Sequence, residues 1–481
     1  MRSIKYSFLY LVFSLLIISC SKKLTSNQSP VVSPSIITGG EDIQLWLTEG
    51  NKSALFAQQK NVLQFDNSNN QLPAIEVDSS QKYQEIDGFG FCLTDGSAHL
   101  INLMSSPDKM KLIKELFSTD SNSIGISYIR VSIGASDLSQ KVYSYDDLPA
   151  DQTDIDLSKF SIDENKKDLI PVIKMILQIN PSIKILGSPW SAPTWMKDNK
   201  SSKGGSLEKQ YFDVYANYFV KYIQAMKSEG INIDAITPQN EPLNPDNNPS
   251  MYMTAVDEAQ FFKNSLGPAF EKANLTTKII CYDHNADVPQ YPLTVLKDSG
   301  AGKYVDGSAF HLYAGNISAL TQVHDAFPDK NIYFTEQYTG SKSTFEGDLS
   351  WAIQNLIIGA TRNWSRNVLE WNLASDPDLG PHTDGGCTTC LGAVTIDGNQ
   401  IARNQSYYII AHASKFVRPG SFRIRSSNIQ GFVNVAFVTP AGKKVLIVLN
   451  TGNERKEFNI NFKGRTAATS LNAGAVGTYI W

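Results

Sequence analysis

The sequence predicts an α/β fold, a (β/α)8 TIM barrel with a side β-sandwich built from N- and C-terminal strands. Three observations predict it. Between Ile86 and Ser414, eight short apolar runs alternate with longer amphipathic stretches. Beyond that point the apolar residues alternate with polar ones and turn residues punctuate the runs. Similar runs, IQLWLTE and AIEVDSSQKYQEI, precede the barrel. Near-continuous apolar strands separated by helices are parallel strands buried on both faces, and eight of them suit a closed barrel with insertions better than an open sheet.

The chain begins MRSIKYSFLYLVFSLLIISCSKK, two early cations followed by an apolar run from Phe8 to Ile18. That is the layout of an export signal. Ile17-Ile18-Ser19-Cys20 resembles a bacterial lipobox, which implies a signal over residues 1–19 and lipid attachment to Cys20. The expectation is an exported, membrane-anchored lipoprotein at the cell surface or in the periplasm. A simple membrane anchor is the plainer alternative. Residues 20–40 are rich in Ser, Pro and polar side chains and read as a flexible tether.

Residues 41–85 supply the first sandwich strands. Residues 86–415 hold the barrel, whose strand runs are EIDGFGF, ISYIRVSI, IKILGSPW, DAITPQN, KIICYDH, YVDGSAFHLY, NIYFTEQY and NVLEWNL. Between them, DKMKLIKELF, DLIPVIKMILQI, DVYANYFVKYIQAMKSEG and SWAIQNLIIGATRN carry helical spacing. Residues 416–481 complete the sandwich with FVNVAFV, KKVLIVLN, EFNINFK and GTYIW, joined by Gly- and Asn-containing turns.

Composition excludes some functions. The net charge of −4 comes without a Lys/Arg block, which argues against a nucleic-acid partner. The six His show no ligand spacing, so neither a metal nor a cofactor is expected. Of the five Cys, Cys387 and Cys390 stand in CTTC and are close enough to staple a loop. Cys92 and Cys281 follow strand-like runs and read as buried. A monomer is the default expectation.

The chemistry sits in two acids. Glu241, in TPQNEP, is expected to end the fourth strand and Glu336, in FTEQY, the seventh. A single Glu is most often a solvated charge. Two that face each other across a barrel mouth are what glycoside hydrolysis requires. One must stay ionised to attack and the other must start protonated, so their surroundings must push their pKa values apart.

Eight motifs in order, DGFGFCLTDGSA, YIRVSIGASD, YSYDD, GSPWSAPTWMK, TPQNEP, FHLY, FTEQY and EWNLA, resemble glycoside hydrolase family 30, the family of glucosylceramidases and β-1,6-glucanases. The resemblance covers nearly the whole mature chain. It implies a retaining enzyme with Glu241 as acid/base and Glu336 as nucleophile. Asn240 is implied to bind the sugar 2-OH, with Pro238 and Pro242 stiffening the segment. Arg130 matches an arginine beneath the nucleophile. Asp137 and Trp190 match residues that hold the outer sugar hydroxyls, Tyr313 one that contacts the nucleophile, and Trp371 a sugar platform. His311 matches too, although a satisfied structural histidine is a common alternative. Trp195 reads as core packing, and Thr94 and Asp95 as structural. The segment GPHT followed by GGCTTC looks like the bacterial and fungal β-1,6-glucanase branch. The expected substrate is therefore a β-glucan. A glucosylceramidase-like β-glucosidase, a β-xylosidase or fucosidase, and a surface glycan-binding lipoprotein without catalysis are the alternatives.

Overall fold

The computed structural model describes residues 42–481. The expected export signal, Cys20 and the expected tether lie outside the described residues. Eight parallel strands form the barrel: Gly88–Cys92, Tyr128–Ser132, Lys184–Ser188, Ala235–Ile236, Lys278–Ala286, Val305–Gly315, Asn331–Glu336 and Asn367–Asn372. Strand eight pairs with strand one, Asn367 opposite Gly88. Between strands seven and eight the ladder reduces to one bridge, Ile332 with Ser365, where Arg366 N–H also donates to the Ile332 carbonyl at 2.9 Å.

The strands are apolar along their length because both faces are covered. Tyr128, Leu186, Ala235, Ile280, Ala309, Tyr333 and Leu369 meet as one cluster within the barrel, one residue from each of seven strands. The outer faces pack on helices that include Ser106–Phe117, Leu169–Ile179 and Phe212–Ser228. Thr94, Ser105 and Thr254 cap helices by accepting a backbone N–H with their hydroxyls. The first two strands can touch closely only because residue 90 is glycine: a Cβ there would lie 1.9 Å from the Tyr128 carbonyl oxygen.

The sandwich strands interleave the two ends of the chain. Asp42–Thr48 runs antiparallel to Val476–Ile480, while Ala74–Ile86 lies between Ser421–Ser426 and Lys456–Phe462, antiparallel to the first and parallel to the second. Ten strands join in one hydrogen-bonded sheet. Its apolar side draws Ile43, Ile75, Ile424, Val448, Ile460 and Tyr479 into a core separate from the barrel's, so the sheet closes on itself.

One element departs from expectation. The fourth strand stops at Ile236, five residues before Glu241. Pro238 has no N–H to extend a ladder. The chain therefore leaves the sheet, and Glu241 takes a left-handed φ of 46° with its N–H on the Asp283 carbonyl at 3.0 Å.

Candidate active site

Asp283 organises the site from below. It is fully buried on strand five and accepts four hydrogen bonds. Oδ2 takes Arg130 Nη2 and Thr237 Oγ1, both at 2.7 Å. Oδ1 takes Thr335 Oγ1 at 2.6 Å and His311 Nε2 at 3.1 Å. Burial alone would raise this carboxyl, but Arg130, His311 and Thr237 together hold it far below the usual carboxylate range.

The fixed Asp283 aims two cations upward. Arg130, also fully buried, donates to Glu336 Oε2 at 2.5 Å, to Asn240 Oδ1 at 2.6 Å and to Ser188 Oγ at 3.1 Å. His311 Nδ1 meets Glu241 Oε1 at 3.2 Å and lies 3.8 Å from Glu336 Oε1. Tyr313 Oη donates to Glu336 Oε1 at 3.0 Å, and Asn244 Nδ2 to Glu241 Oε2 at 2.8 Å. Glu241, His311 and Glu336 each offer an atom within 4.8 Å of the others. The two acids, ninety-five positions apart, thus share one hollow, and both are more than 90% buried.

That hollow is a cleft of about 430 Å³ at the C-terminal ends of the strands, lined by Asp137, Trp190, Glu241, Tyr313, Glu336 and Trp371 among others. The rings of Trp190 and Trp371 lie 5.2 Å apart, with the Arg130 guanidinium over both. Asp137 takes the Cys387 N–H on Oδ2 at 3.3 Å, while its buried Oδ1 has no partner in the protein. Burial, with the Glu336 charge, pushes Asp137 up to about 7. Asn240 holds its place by donating its N–H to the Pro189 carbonyl at 2.7 Å.

Every residue that the resemblance assigns to sugar or catalysis reaches this cleft or touches a residue that does. Trp195 packs in the core with its indole N–H on the Asp146 carbonyl, Asp95 bonds Ser139 and Tyr143, and Thr94 caps a helix. Cys387 and Cys390 form a disulfide in a loop that overhangs the cleft, and Cys92 and Cys281 are buried. Gly386 in that loop passes so close that a Cβ would lie 2.3 Å from the Asp137 carbonyl oxygen. A second hollow, of about 400 Å³, opens at the opposite end of the barrel among Lys184, Asp234 and Lys278. The acids that line it are already paired with cations, Asp234 with Lys184 and Asp87 with Arg366.

Sequence reasoning missed Asp283, Thr237, Thr335, Ser188 and Asn244. The only available signal was a charged residue inside the apolar run KIICYDH. The expected directions of titration are also corrected. Burial works to raise Glu241, but the bond and charge of His311, with His284 and Asn244, hold it low. Burial raises Glu336 against the pull of His311 and Arg130, with Glu241 and Asp283 adding to the rise. The cause is His311. Burial opposes its cation, yet Glu336, Asp283 and Glu241 push it up to about 9. His311 Nδ1 thus stands 3.2 Å from Glu241 Oε1, and its charge is what lowers the acid expected to carry the proton.

Two family signatures match the chain. The glycosyl hydrolase family 30 TIM-barrel domain spans residues 86–417, and the family's beta sandwich domain spans residues 420–479. The endo-1,6-beta-D-glucanase neg1 of Aspergillus fumigatus is 36% identical over 407 residues, 79% of this chain and 81% of that protein. The lysosomal acid glucosylceramidase of Mus musculus is 30% identical over 437 residues, 85% of this chain and 83% of that one. Among solved structures, the endo-beta1,6-glucanase BT3312 superposes with a TM-score of 0.85 at 35% identity, covering 92% of this chain and 99% of its own. Matched in barrel and in sandwich, and along most of the length of these relatives, the chain belongs to glycosyl hydrolase family 30.

Proposed function

We propose that the protein is a retaining endo-β-1,6-glucanase, with Glu336 as nucleophile and Glu241 as acid and base. The observation that carries this is the pair of buried carboxyl oxygens within 4.8 Å in one cleft. Retention needs carboxyls about 5–5.5 Å apart, whereas inversion needs about 6.5–9.5 Å to admit a water. Arg130 and Tyr313 take one oxygen of Glu336 each and fix its plane. In the first step a Glu336 oxygen attacks C1 of the glucose and the C1–O6 bond breaks. The proton shared by His311 and Glu241 passes to O6. In the second step Glu241 takes a proton from water, whose oxygen attacks C1 and releases Glu336. Asp137 Oδ1, unpartnered in the protein, accepts a sugar hydroxyl, and Trp190 and Trp371 hold the ring.

The β-1,6 linkage is supported by the relatives named as endo-1,6-glucanases, which are more similar to this chain than those named as glucosylceramidases. One assay on linear β-1,6-glucan, β-1,3-glucan and a β-glucosyl lipid tests it, with turnover expected on the first. Turnover of the lipid alone would move the assignment to a glucosylceramidase-like enzyme. Glu336→Gln should abolish turnover while glucan still binds, and unchanged behaviour would mark a glycan-binding protein instead. Export and lipid anchoring through Cys20 are part of the proposal, supported by the apolar run and lipobox-like ISC. Cys20→Ser should shift the protein out of the membrane fraction.

A further inference from the structure

We infer that Glu258 is a positioning residue of the active site, pinning the left-handed turn at Tyr282–Asp283 that carries Asp283 beneath both acids. The inference rests on the roles just given to Glu241 and Glu336. Glu258 lies on the helix Ala255–Phe261, is fully buried, and is not among the residues lining the cleft. Its Oε1 accepts the Tyr282 N–H at 3.2 Å, and Oε2 has no partner.

The turn it holds is unusual. Tyr282 and Asp283 have φ values of 77° and 58°, two successive left-handed residues without a glycine. Such backbone persists only where its surroundings over-determine it. The turn also breaks register with strand six: Tyr282 lies opposite Ala309 and His284 opposite Phe310, which leaves Asp283 as an extra residue. That extra residue bonds Arg130, Thr237, Thr335 and His311 through its side chain and the Glu241 N–H through its carbonyl. A shift of the turn would therefore move the nucleophile's arginine, the acid's histidine and the acid's own backbone together.

The tyrosine ring fixes the same turn from the other side, packing on Tyr291 and Phe310 with its hydroxyl on the Asn285 carbonyl. Glu258 supplies the polar half of that clamp. Burial, with the Asp283 charge adding, pushes its carboxyl up to about 8, so at neutral pH it accepts the N–H without bringing another anion beside Asp283. A glutamine would do the same. An aspartate, one methylene shorter, would not reach.

The test compares Glu258→Gln, Glu258→Asp and Glu258→Met with wild type by kcat, KM, Tm and hydrogen exchange of residues 281–286. We expect Gln to stay within about twofold of wild-type kcat. Asp and Met should lose at least about tenfold in kcat, about 1.4 kcal/mol of activation free energy, with KM within about twofold. Exchange at 281–286 should quicken in Asp and Met only. Gln as impaired as Asp, or Asp equal to wild type in kcat and exchange, overturns the inference. If Met does not fold, the Gln–Asp contrast decides. A wild type inactive on every β-glucan would sink the proposed function, while exchange would still judge Glu258.

Discussion

His311 makes a quantitative prediction, because one proton on it affects both stability and turnover. Its pKa is about 9 in the fold, against an ordinary 6.5. A raised histidine pKa adds stability that is complete below about 6.5 and is lost as pH climbs through about 9. Two and a half pH units at about 1.4 kcal/mol each give roughly 3–4 kcal/mol. At about 2.1 cal/mol/K per residue, a chain of this length converts that into about 3–4 °C of Tm. His311→Gln removes the titration. Asp137, Lys197 and Glu258, at about 7, 7 and 8, also titrate in this window, so the quantity to read is the difference between the two proteins. Wild type should lose its Tm advantage between pH 6.5 and 9, measured by thermal denaturation in matched buffers. The alkaline limb of kcat/KM should fall near 9 in wild type and move to lower pH in the variant, where Glu241 must hold the proton alone. Parallel Tm curves across this window, with superimposable pH–rate profiles, would refute the shared proton.

Arg130→Met leaves Asp283 and Glu336 as buried charges without their guanidinium, which should cost about 3–5 kcal/mol in chemical denaturation. A loss under about 1 kcal/mol would show that the other donors satisfy both acids, whereas adding Asp283→Asn should recover part of the loss. Replacing Cys387 and Cys390 together by Ser frees the loop whose Cys387 N–H holds Asp137. Losing that bond, worth about 0.5–1.5 kcal/mol, should raise KM for glucan roughly two- to tenfold with kcat little changed. A fall in kcat at constant KM would place the loop's effect on the chemistry instead.

The two acids were legible because each follows an apolar run that can only be a buried parallel strand, and the barrel then dictates where strand ends point. The sandwich was legible from its period of two, although the insertion of Ala74–Ile86 between two C-terminal strands was not, since pairing partners leave no mark on alternation. What lay beneath the acids was hidden for a different reason. Asp283 and Glu258 are charged letters in apolar settings, and a pattern argument reads such letters as exposed or as errors of assignment. Glu258 stands three and four residues before Phe261 and Phe262, on the helix face that packs inward, beside the half-buried cap partner Asp257. Spacing alone could have flagged it as a buried acid, but not said what it bonds. That required the two left-handed residues at Tyr282–Asp283, a backbone event that side-chain periodicity does not encode. The inverted titration of Glu241 and Glu336 follows from the same hidden layer. A carboxylate on strand five binds the histidine of strand six, and that histidine's charge lowers Glu241. The acids name the reaction, and the buried charges beneath them set the pH at which it can run.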